Sequence, residues 1–217
     1  MEKLTLSALS SSLMKRWVNL TEYGIAEYDW LNVDAIVLSE SEQQQLQYLK
    51  SRLRNSRMLL MNEATIWARG IYPLLILAEQ GPIQAWSEVA LRATYPQFEI
   101  EGIADGVLGK CVSGFLEAPY LVVVEAKRGL EASNPVYQLY GQLLAAAHLN
   151  WENDPQDPQE IFGCYTVADS WSFVRAEVAG LTTDKPTLRV EFSREYSEHS
   201  EAEILVKILK QIVAKYR

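Results

Sequence analysis

Cysteine and histidine are nearly missing from this chain, with two of each in 217 residues. Cys111 and Cys164 stand in no metal-ligand spacing, and His148 and His199 are the only histidines, which argues against a structural zinc site. Long hydrophobic runs are missing too. The first twenty residues carry Lys3, Lys15 and Arg16 with only short apolar runs between them, the pattern of neither a secretory signal nor a membrane span. The expectation is a reduced, cytoplasmic setting without membrane contact. Positive charge is scarce: 20 Lys and Arg against 28 Asp and Glu give a net charge of -8. That argues against wholesale wrapping of nucleic acid and leaves room for a local basic patch. No internal repeat and no low-complexity tract interrupts the chain.

What is present is an ordinary globular balance, 48% hydrophobic and 22% charged. The length suits one domain, or one domain with an appendage, and is enough to bury a core. Residues 1–57 are expected as an N-terminal helical extension. Within them Ser39 or Ser41 caps a helix with Glu42 as the box partner of Ser39, and Leu46, Leu49 and Leu53 follow at helical spacing. That helix ends in a basic run, Lys50, Arg52, Arg54 and Arg57, read first as a solvated face complementing the helix dipole and second as a phosphate-contacting patch. A second helix over about Met58–Glu79 contains Pro73, which should kink or split it. Strands are expected at Val89–Tyr95, Phe98–Leu108, Tyr120–Lys127, Ile161–Val167 and Trp171–Val178, with Leu188–Phe192 as an edge. Asn134 and Pro135 open a helix running to about Leu149, and an amphipathic helix over about Glu201–Tyr216 closes the chain.

The sequence is organised around Tyr120–Lys127. Its five-residue apolar run, between Pro119 and the nearby Gly129, reads as a strand buried on both faces, yet it ends in Glu125 and Lys127. Residues i and i+2 of a strand share a face, so the two charges stand side by side. Burying them requires that they pair, hold a cation or line a functional cleft. Asp105 interrupts the preceding apolar strand, and hairpin neighbours pair, which brings it beside Glu125. Glu63 lies on the helix before these strands, and Gln138 and Gln142 lie on the helix after them. Two close carboxylates repel, and a hard divalent cation with a lysine beside it relieves the repulsion.

These residues resemble the PD-(D/E)xK nuclease superfamily. The match is Gly102-Ile103-Ala104-Asp105-Gly106-Val107-Leu108 followed by Val123-Val124-Glu125-Ala126-Lys127-Arg128. Ala104 stands before the Asp where many members carry Pro. Asn62-Glu63-Ala64-Thr65 through Ile71-Tyr72-Pro73-Leu74-Leu75 resembles the opening helix of the nuclease domain in type I restriction enzyme motor subunits. Gln138 or Gln142 resembles the helix glutamine of RecB-like branches, without its tyrosine four residues on. No helicase or methyltransferase segment accompanies these motifs.

The resemblance implies an α/β fold with a restriction-endonuclease-like α-β-β-β-α-β core over residues 58–168. That core has a mixed central sheet and sits in a nuclease-like domain of residues 58–217 with a C-terminal helix. It implies a Mg²⁺-dependent (or Mn²⁺-dependent) nuclease acting on DNA, alone, as a homo-oligomer or within a larger DNA-processing complex. Asp105, Glu125, the Ala126 carbonyl and Glu63 become the implied metal ligands. Lys127 becomes the residue that positions water, and Gln138 and Gln142 the substrate contacts. The alternative reading is a nuclease-like scaffold without activity, or a module that docks nucleic acid or protein uncut.

Overall fold

The computed structural model describes residues 1–54, 57–128 and 134–216. Its α/β architecture is a mixed eight-stranded sheet with helices on both faces. In chain order the elements begin with β1 (Glu2–Thr5), α1 (Ser11–Trp17), β2 (Asn19–Ile25) and α2 (Glu40–Leu53). After a 3-10 turn at Met58–Leu60 come α3 (Glu63–Ile66), a π turn (Trp67–Ile71) and α4 (Tyr72–Leu77). Then follow β3 (Ile83–Thr94), β4 (Phe98–Val112), β5 (Phe115–Lys127), α5 (Val136–Asn153), β6 (Gln159–Val167), β7 (Ser170–Ala179), β8 (Thr187–Ser197) and α6 (Glu198–Ala214). Gly129, expected just beyond the central strand, lies outside the described residues.

Several expectations change here. Residues 1–57 are not a purely helical extension, since β1 and β2 join the same sheet as parallel neighbours of β4 and β8. β1 is four residues long and β2 is mostly exposed, so neither shows the apolar alternation that marks a half-buried strand. Because β2 lies outside β8, the Leu188–Phe192 stretch is interior and longer than expected. The helix expected over Met58–Glu79 is broken into pieces. Pro73 has no N–H and its ring crowds the carbonyl four residues back, which a wider π turn ending at Ile71 relieves. The capping box is present as read: Ser39 Oγ accepts from the Glu42 N–H, and the Glu42 carboxylate accepts from the Ser39 N–H at 2.7 Å.

The β4–β5 hairpin runs further than its apolar pattern suggests, to a turn at Ser113 and Gly114, both at positive φ (52° and 83°). Two positive φ values in a row match the right-handed twist of a hairpin. Leu121, Val122, Val123 and Val124 of β5 are each fully buried, so the run reads correctly as a central strand. Its flanks belong to two cores. Val122 and Val124 pack with Leu74, Ile208 and Leu209 beneath α2–α4 and α6, while Val123 packs with Leu139 and Leu143 beneath α5.

One feature of the sheet positions the candidate site. β3 pairs with β4 along nearly its whole length, from Glu99 to Lys110. The other edge of β4 is shared: β1 takes Phe98–Glu101 and β5 takes Gly106–Val112. Between them, over residues 102–105, that edge forks. Leu6 fills the fork from below, lying so close to Gly102 and Gly141 that a side chain at either would collide with it.

Candidate functional site

Asp105 sits at the mouth of this fork, one residue beyond the last β4–β5 pair, Gly106 with Val124. With no backbone partner opposite, the Ala126 N–H donates to Asp105 Oδ2 at 2.6 Å. The side chain thus replaces a ladder bond and turns toward the end of β5. The antiparallel register brings Asp105 opposite Glu125. Glu125 lies on the α5 face of the sheet, fully buried, and its Oε2 accepts from Gln142 Nε2 at 2.5 Å. Lys127, two residues on and on the same face, lies with its Nζ 2.5 Å from Glu125 Oε1.

Electrostatics ties the group together. Burial raises the Asp105 carboxyl above its usual value against the pull of the Ala126 N–H and Lys127, with Glu63 and Glu88 adding to the rise. Burial and then Asp105 push Glu125 up to about 7, with Lys127 and Gln142 acting the other way. Burial works to lower the Lys127 ammonium, but Glu125 outweighs it and Glu63 and Asp105 add to it, so Lys127 stays above the ordinary lysine value. The site is short of positive charge, and both carboxyls are held above their ordinary values.

The sequence candidates therefore do not stay equal. Asp105, Glu125, Ala126 and Lys127 come together, Gln142 holds Glu125, and the half-buried Glu63 at the start of α3 acts on both Asp105 and Lys127. Gln138 stands apart. It lines a separate groove with Thr5, Arg92, Glu101 and Ile103. Among the described residues no three His, Cys, Asp or Glu side chains gather closely enough to hold a metal ion by themselves.

Three residues escaped the sequence reading. Glu88 of β3 lies opposite Asp105, between the pairs Ser87–Gly106 and Val89–Ala104, and has φ 53°, an uncommon conformation for a residue other than glycine. Trp67 closes the other side: its Nε1 donates to Ser87 Oγ at 3.0 Å, and its ring fills the space a side chain at Gly106 would need. His199 braces the strand end. Its Nδ1 is 2.9 Å from Asp169 Oδ2 and its Nε2 3.0 Å from the Leu53 carbonyl, while the Lys127 carbonyl accepts from the Ala168 N–H next door. The one trace of this packing in the sequence is Gly106, the glycine inside an apolar strand that Trp67 covers.

Compared with protein-family models and with curated proteins, the chain finds no match in either. No helix among the described residues is long and apolar enough to cross a membrane.

Proposed function

We propose that this protein is a Mg²⁺- or Mn²⁺-dependent nuclease that hydrolyses phosphodiester bonds in DNA. The observation that carries this reading is the junction at the fork, where Asp105 is bonded to the Ala126 N–H beside a buried Glu125 and its Lys127. The order of elements from Glu63 to Val167, helix, three strands, helix, strand, supports it, since a PD-(D/E)xK core has the same order.

The donor set fits a hard cation. Asp105 and Glu125 are two carboxylates, and burial and then their repulsion raise Glu125, while the Ala126 carbonyl shares the strand edge of its N–H by the geometry of extended backbone. Two carboxylates and a carbonyl are too few for a closed cage, and they suit Mg²⁺, which keeps several waters and is completed by substrate phosphate oxygens. When bound, the ion lowers the pKa of water and neutralises charge developing on the phosphate. Asp105 and Glu125 would hold it. Lys127 orients the attacking water and offsets phosphate charge, Gln142 keeps Glu125 aimed, and Glu63 orients the Lys127 ammonium.

A second reading is favoured by the close Glu125–Lys127 pair: a structural ion-pair cluster on a nuclease-like scaffold. Incubating purified protein with plasmid and linear DNA in Mg²⁺, Mn²⁺ or Ca²⁺ separates the two. The nuclease reading expects cleavage with Mg²⁺ and Mn²⁺ and little with Ca²⁺, which activates water less well. Equal, metal-independent silence of wild type and Lys127→Ala would support the scaffold.

A further inference from the structure

Residues 50–69 carry Lys50, Arg52, Arg54, Arg57 and Arg69 with Glu63 as their only acid, in a chain whose net charge is -8. Arg54, Arg57 and Arg69 are exposed. Between them, on the Met58–Leu60 turn, Leu59 and Leu60 stand 54% and 68% exposed side by side. Two links bring this stretch to the site. His199 ties the Leu53 carbonyl, at the end of α2, to Asp169 beside the end of β5, and Glu63, three residues beyond the turn, acts on Asp105 and Lys127.

We propose that the end of α2 and the Met58–Leu60 turn form a DNA-docking edge that favours a duplex with an opened end. Arg54 and Arg57 grip phosphates, and Leu59 and Leu60 form a wedge against unstacked bases. This rests on the nuclease reading for its choice of nucleic acid as occupant.

The reasoning is charge complementarity plus what the leucines can touch. A cluster of exposed guanidinium groups in an acidic protein concentrates attraction for a polyanion at one edge. The outside of a closed duplex offers phosphate and sugar, against which two adjacent leucines bury little apolar surface. Base faces become available where the stack opens, and apolar side chains of this kind act as wedges between base steps. Arg52 plays no part in the grip, being engaged by the Tyr48 ring and hydroxyl.

The test uses the Asp105→Asn protein, so that DNA is not consumed, and fluorescence anisotropy with a closed hairpin duplex and the same duplex carrying a splayed fork, across a salt series. Adding Arg54→Ala with Arg57→Ala is expected to weaken binding to both probes and to flatten the slope of log affinity against log salt by about 2, near 0.9 per phosphate contact. Adding Leu59→Ser with Leu60→Ser is expected to leave the slope unchanged and to reduce the preference for the fork roughly tenfold. Both leucines are exposed, so this pair should melt like its parent. Unchanged binding by both double variants overturns the proposal, as does binding to phosphatidylserine vesicles with none to either DNA. Cleavage by the unsubstituted chain is scored separately. Arginine-dependent fork binding without cleavage sinks the nuclease reading and keeps the docking edge, whereas cleavage with unaltered binding does the reverse.

Discussion

Glu125 is a fully buried carboxylate held by one amide and one ammonium, and this makes its neighbours energetically conspicuous. Gln142 is itself fully buried, and its Oε1 has no hydrogen-bond partner. Its one side-chain hydrogen bond among the described residues is the donation to Glu125. Gln142→Leu removes that donor while roughly keeping volume, and should cost about 1–3 kcal/mol, the penalty for leaving a buried acceptor short of a partner. Urea unfolding of the variant at neutral pH measures this, and an unchanged midpoint would show that Lys127 alone satisfies Glu125. A second buried acid lies beyond the site. Glu198 has no exposed surface, accepts from Trp171 Nε1 at 3.0 Å and packs against Gly70 of the π turn. Burial pushes it up to about 7 from an ordinary 4.5, with Trp171 and His199 pulling down and Asp169 pushing up. A raised carboxyl binds its proton more tightly when folded, so its contribution is present at low pH and lost as pH rises from 4.5 through about 7. The loss is on the order of 3 kcal/mol. Since Glu125 titrates in the same direction, the informative quantity is the difference between Glu198→Gln and wild type. That difference should favour the variant above pH 7 and shrink below pH 5.

Among the elements, β4 and the π turn depend most on close approach. A Cβ at Gly106 would collide with Trp67 Cη2 and would lie 3.2 Å from the Trp86 carbonyl. Gly106→Ala must therefore displace the indole that Ser87 holds, at about 1–3 kcal/mol for overpacking. Because Asp105 is the adjacent residue, cleavage should fall along with thermal stability, and Trp67 emission should shift toward the red. A variant that melts normally with unaltered emission would show that the ring has room to move. At this scale much was legible from the sequence. The Ser39–Glu42 box, the apolar run of β5 and the pairing of Glu125 with Lys127 follow from residues within four positions of one another. The π turn was legible only as a proline in an apolar helix, because a lone proline permits a kink, a break or a widened turn, and packing on Glu198 decides among them.

For the molecule as a whole, the candidate site and the fold are linked by charge. Without a divalent cation, Lys127→Ala leaves Asp105, Glu125, Glu63 and Glu88 with no ammonium among them, so it should melt below wild type. If the site binds metal, added Mn²⁺ should stabilise both proteins, by about 2.7 kcal/mol at a hundred times each one's dissociation constant, and so raise both melting temperatures. A scaffold held by an ion pair alone would show the gap without any response to Mn²⁺.

Alternation, capping and apolar runs are written in residues adjacent along the chain, and they were enough for the α/β class, the central strand and the neighbours Glu125 and Lys127. Tertiary structure decided the rest. That β1 and β5 share one edge of β4, leaving Asp105 at a fork, depends on pairing residues about a hundred positions apart. Glu88 opposite Asp105 and His199 on the Leu53 carbonyl likewise come from the packing of distant segments. Local periodicity specifies which face of an element is buried, whereas the partner it meets is selected by how all the buried faces fit together, and the chemistry here lies where two such faces part.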